Sequence, residues 1–227
     1  MGLFDWFRSK KEGSVSAPEP EPQALGWDAI TRAFETVYPG QDNPVHVAPS
    51  ISPMYDLSEN AAVLFGMSAY DAGAYWHLVS YGLSELFEKE SDDPEVSGFG
   101  CELTVRVPKS ASERPPQICF SFLEAMARAI VAGHDLEPGH TVSTGPFTGV
   151  PDDGLDALLV VADPALPEAI DTPHGSVRFL LLLGVENAVR EEVLAAYDAG
   201  GGAVGWEQPI VARLREGNPN LVTPFSD

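Results

Sequence analysis

The chain has 227 residues, enough for one sizeable hydrophobic core and a short tail. Hydrophobic residues make up 44% of it and the mean hydropathy is −0.04, which excludes wholesale disorder, while the lack of any apolar run near twenty residues excludes a membrane-spanning helix. Thirteen Lys and Arg against thirty-four Asp and Glu leave a formal charge of −21, a balance that favours solubility, repels phosphate backbones and suits a basic partner.

Met1 to Lys11 (M-G-L-F-D-W-F-R-S-K-K) places Leu3, Phe4, Trp6 and Phe7 ahead of Arg8, Lys10 and Lys11. Such a segment suits weak contact with an anionic membrane surface or docking in a groove, and a loose terminus is its blander reading. Gly2 is not followed by Ser or Thr at position six, so the myristoylation pattern fails. No basic-led apolar run with a small-residue cleavage site opens the chain, so a cytoplasmic protein is expected. Residues 12–24, with Pro18, Pro20 and Pro22 among Glu and Ser, read as a disordered linker, and residues 25–227 as the domain.

Trp27, Ile30, Phe34 and Val37 recur at helical spacing, predicting an amphipathic helix over Leu25 to Val37 that ends at Tyr38-Pro39-Gly40. Val45 to Ala48 suits a strand, and Ile51 to Gly73 suits short strands with a turn. Tyr75 to Tyr81 alternates Trp76, Leu78 and Ser80 with Tyr75, His77, Val79 and Tyr81, and Gly82 breaks the run. After the polar segment Glu88 to Ser97 and the hinge Gly98-Phe99-Gly100, Cys101, Leu103, Val105 and Val107 alternate with Glu102, Thr104 and Arg106. That pattern predicts a half-buried strand, paired with the first as a hairpin.

Phe122, Met126, Ala129 and Ile130 predict a helix over Ile118 to Ala132, started near Pro116 and stopped by Gly133. Leu155 to Ala162 and Ser176 to Val185 are almost continuously apolar and read as strands covered on both faces. Asn187 to Ala199 is expected as a third helix with Val189, Val193, Leu194 and Tyr197 inward, ended by Gly200 to Gly202. Pro209 to Leu214 reads as a last edge strand. The fold class expected is α/β (α+β): one domain whose mixed or antiparallel sheet is flanked by helices.

Signatures of chemistry are sparse. Cys101 and Cys119 lie in apolar patterns without Cys-x-x-Cys spacing, so reduced structural thiols are expected rather than a metal site or disulfide. His77 has no Asp, Cys or second His at a fixed offset and reads as a hydrogen-bonded structural residue, as do His140 and His174 in turns. No H-E-x-x-H, G-x-S-x-G or phosphate-cradling glycine loop occurs, so no cofactor is expected. Glu85 and Glu102 are the carboxylates nearest the central motif, and without a defined pocket they are weak candidates for acid and base.

The run W-H-L-V-S-Y-G-L-S-E-L followed by S-G-F-G-C-E-L-T-V-R resembles the suppressor-of-fused family. Y-P-G-Q-D-N-P (Tyr38 to Pro44), E-P-G-H-T-V (Glu137 to Val142), D-T-P-H-G-S-V-R-F-L (Asp171 to Leu180) and P-I-V-A-R match further blocks in family order, spanning Leu25 to Leu221. The animal members resemble clamps that hold a peptide as an added strand between this domain and a second one. This chain departs from them. No second domain is expected, the acidic position before the histidine is Gly139 with Glu137 nearby, and the partner-binding aromatic corresponds to Ala129. The resemblance is to a single-domain, bacterial-type member and implies a non-enzymatic protein-binding domain, in the role of an immunity protein that neutralises a basic toxin. The contact surface expected is an exposed edge at Glu102, Thr104 and Arg106 with the turn at Glu137 and His140. Two alternatives stay open: an enzyme using His77 or His140 with Glu102, and an adaptor placed at a membrane by its aromatic N-terminus.

Overall fold

The computed structural model describes residues 23–48, 62–109, 114–200 and 205–227. The expectations for the N-terminal segment, for the linker up to residue 22 and for residues 51–61 lie outside the described residues.

Helix α1 (Leu25–Val37) and helix α2 (Gln117–Val131) form where the 3.6-residue spacing of apolar side chains predicts them, with Pro116 as the N-cap of α2. The strands among the described residues are β1 (Val45–Val47), β2 (Gly66–Asp71), β3 (Tyr75–Tyr81), β4 (Val96–Pro108), β5 (Thr141–Ser143), β6 (Ala157–Ala162), β7 (Ile170–Thr172) and β8 (Gly175–Val185). They form one mixed sheet in the order β1-β2-β3-β4-β8-β6-β5, with β7 pairing to β8. β3 and β4 make the expected antiparallel pair, and β4 runs parallel to β8 at the sheet's centre. The register between β4 and β8 shifts between Val96 and Cys101, at the Gly-Phe-Gly hinge.

The sheet is covered on both faces. On one, α2 packs Cys119, Leu123 and Met126 on Leu78, Leu103, Val105 and Leu180. On the other, α1 packs Ile30 and Phe34 on Tyr70, Val79 and Phe179, while α3 (Asn187–Gly200) and α4 (Gln208–Gly217) cover Leu159, Leu181 and Leu183. The segment 218–227 then threads back over the domain. Thr223 N–H donates to the Arg106 carbonyl, Phe225 packs against Phe122 and Phe147, and the Asp227 carboxylate accepts from the Gln117 and Ile118 N–H groups at the start of α2.

Three expectations are corrected. Pro209 to Leu214 lies in a helix, because Ile210, Val211 and Leu214 at i, i+1 and i+4 put one apolar stripe on β6 and β8, and Pro209 fits the first turn. In α3 only Val193 is buried and Val189 is partly so, whereas Leu194 and Tyr197 are 42% and 50% exposed. β4 is not half-buried: it is central, and Glu102, Thr104 and Arg106 are 0%, 0% and 3% exposed. No edge exists there for a partner.

Candidate functional site

The polar face of β4 meets the α1 side of the sheet, where burial obliges each polar group to find a partner. Glu102 accepts from the hydroxyls of Ser80 and Ser84 and from the N–H groups of Gly82 and Ser84, at 2.5–3.0 Å. Burial pushes its carboxyl up to about 6, against the pull of these hydrogen bonds. Glu85 is engaged separately, by Lys89 and by the N–H groups of Glu90 and Ser91, so the two carboxylates do not form an acid and base pair.

A second cluster gathers around Asp163, just past β6. Its Oδ2 accepts from His77 Nε2–H at 2.8 Å and from the Thr104 hydroxyl at 2.7 Å, and its Oδ1 from Arg106 and, at 3.0 Å, from Ala165 N–H. The Tyr38 hydroxyl lies 2.8 Å from His77 Nδ1 and donates to it. Burial lowers the pKa of His77 more than the neighbouring Asp163 raises it, so the imidazole is neutral. Burial acts to raise the Asp163 carboxyl, but His77, Arg106 and the Thr104 hydroxyl overcome it and hold it well below the usual carboxylate range. The cluster thus contains one anion, one cation and a neutral imidazole. Tyr38 to His77 to Asp163 has the connectivity of a proton relay, but His77 is 0% exposed.

An open groove of about 1290 Å³ lies at the neighbouring end of the sheet, between the 134–142 loop, the 162–168 loop, the outer part of α3 and residues 205–208. Glu137 and His140 both line it, and Asp163 connects it to the buried cluster. Arg178, from β8, donates in bidentate fashion to Glu137 at 2.6 and 2.7 Å. That pairing holds the Glu137 carboxyl low and the guanidinium high. His140 is exposed, and its Nδ1 lies 3.2 Å from the Glu137 N–H. Tyr197 and Trp206 pack edge to face at 5.5 Å, and Trp206 lies on Gly139, where a Cβ would come within 2.6 Å of the indole. Gly139 has φ +91, so the residue before His140 is a glycine for two reasons. β5 closes the groove's end as the last strand of the sheet, with no described strand on its outer side.

The structure therefore separates the site residues expected from the sequence. Glu102, Thr104 and Arg106 are internal, and only Glu137 and His140 face solvent together. Sequence reasoning missed Tyr38, Asp163, Arg178, Tyr197 and Trp206. Two carried a signal: Arg178 interrupts an apolar strand, and Asp163 ends one.

The family model of the suppressor of fused protein matches residues 62–223, well over half of the chain. The chain belongs to the suppressor-of-fused family. The human suppressor of fused homolog is 28% identical over 218 residues, and the mouse homolog 28% over 216. Each match covers 87% of this chain and 42% of the relative, so this suppressor-of-fused domain spans less than half the length of the curated relatives it matches. Among solved structures, the Sufu-Fu complex aligns with a TM-score of 0.71 at 27% identity, covering 90% of this chain and 91% of that one. Drosophila Suppressor of Fused aligns with a TM-score of 0.66 at 28% identity, covering 78% and 46%.

Proposed function

We propose that this suppressor-of-fused domain is a non-catalytic protein-binding module that takes a partner segment in the groove beside β5. The observation that carries the reading is that no described strand pairs with the outer side of β5, which lies at the mouth of a groove lined by exposed Leu194 and Tyr197. An added strand there gains main-chain hydrogen bonds from β5 and side-chain specificity from the groove. One solved relative is a Sufu-Fu complex, which supports a protein partner for this domain as well. Glu137 and His140 are the contact residues of the original expectation that this surface retains.

A formal charge of −21 selects a basic partner and accelerates the encounter. A basic toxin domain, neutralised in the cytoplasm by an immunity protein of this kind, fits that requirement. The test is affinity capture at low salt with the full chain as bait, repeated with Glu137→Lys and Glu168→Lys. A basic protein bound by the wild type, with affinity at least tenfold weaker in the double variant by calorimetry, supports the reading. Equal binding by both forms overturns it.

A further inference from the structure

We propose that the N-terminal segment Met1–Lys11 is an internal competitor for this groove, occupying it when no partner is bound. The inference rests on the groove being the partner surface and adds its regulation. Three observations carry it. First, the groove is apolar and acidic together: Leu136, Leu194, Tyr197 and Trp206 line it, and Asp135 and Glu168 add exposed carboxylates. The one Arg in the lining, Arg178, is already held by Glu137.

Second, the segment has the complementary chemistry. Leu3, Phe4, Trp6 and Phe7 put four large apolar side chains within five consecutive residues. Arg8, Lys10 and Lys11 follow, so three of the chain's thirteen Lys and Arg lie within its first eleven residues, in a chain of net charge −21. An acidic, aromatic-lined groove complements such a segment in both charge and apolar surface.

Third, the chain is long enough. Residues 12–22 can span about 34 Å when extended. Along α1, from Leu25 to Phe34, the distance is about 14 Å. Phe34 shares an apolar cluster with Leu166, which lines the groove. The tether is more than twice that length of α1, and a tethered ligand acts at millimolar effective concentration, enough for weak contacts to compete.

The experiment replaces Phe4 with the photo-crosslinker p-benzoylphenylalanine in the full chain, irradiates it, and maps the products by mass spectrometry. The expected result is an intramolecular crosslink to residues 134–142, 194–200 or 205–208. Its yield should be independent of protein concentration and fall at least fivefold in the Asp135→Lys, Glu168→Lys variant. Crosslinks elsewhere on the domain, crosslinks only between two chains, or labelling only of added phosphatidylserine vesicles would each overturn the proposal. Partner capture that persists without the crosslink overturns self-occupancy alone and leaves the partner reading standing, whereas loss of both in the groove variant is the expected joint outcome.

Discussion

Replacing Glu102 by glutamine isolates the cost of one buried carboxylate. Glu102 is 0% exposed, and the groups that donate to it are two hydroxyls and two N–H groups, with no cation among them. Burial raises its pKa from an ordinary 4.5 to about 6. A carboxyl whose folded pKa is raised stabilises the fold fully below pH 4.5, and that contribution is lost as pH rises through 6. The difference corresponds to about 2 kcal/mol. Glutamine keeps nearly the same shape and does not titrate. The stability of Glu102→Gln relative to wild type should therefore rise by about 2 kcal/mol between pH 4 and pH 7.5. Urea unfolding followed by tryptophan fluorescence across that range measures it, and taking the difference between the two proteins cancels Asp163 and His77, which titrate in both. A flat difference would refute the reasoning by showing that the four hydrogen bonds offset burial, and one that favours wild type as pH rises by showing that they outweigh it.

The Asp163 cluster responds with the opposite sign. Its carboxyl is held low, so its stabilisation is present above the ordinary 3.8 and lost as pH falls below that value toward the folded pKa. Asp163→Asn leaves Arg106 buried without its carboxylate and should cost about 3–5 kcal/mol in denaturant unfolding at pH 7; a loss under 1 kcal/mol would contradict the pairing described. Gly26→Ala sets a Cβ 2.1 Å from the Glu85 carbonyl oxygen, so α1 must shift, lowering stability by about 1–3 kcal/mol in thermal melts despite alanine's better helix propensity. Leu123→Ala, beneath α2, should cost about 2–5 kcal/mol by the same measurement.

The helices α1 and α2 were legible because their apolar spacing is free of competing patterns, and β6 and β8 because continuous apolar runs admit few other readings. β4 shows the limit of period-two reasoning. Glu102, Thr104 and Arg106 alternate as a solvent face would, yet Asp163, the partner of the latter two, lies 59 and 57 residues away. Alternation identifies a polar face without saying whether water or protein satisfies it. P-I-V-A-R-L failed as a strand because six residues with three apolar positions fit both periods, and the docking surface on β6 and β8 decided for helix. The groove was invisible for a related reason: Leu194 and Tyr197 sit where an inward stripe is expected, and only the shape of the packed domain leaves them uncovered.

The return of residues 218–227 over the sheet has a kinetic meaning. Its hydrogen bonds join Asn220 to Arg106 across 114 residues and Asp227 to Gln117 across 110, among the longest loops the domain closes. Loop closure of that length is entropically late, and contacts of such sequence separation slow folding. During synthesis β3, β4 and α2 leave the ribosome well before the segment that covers them. Over that interval Phe122 and Phe147 lack Phe225, which later packs against both. A nascent chain whose Phe122 and Phe147 still lack that cover is a substrate for chaperones and a seed for aggregation, so residues 218–227 act as the latch that ends that vulnerability.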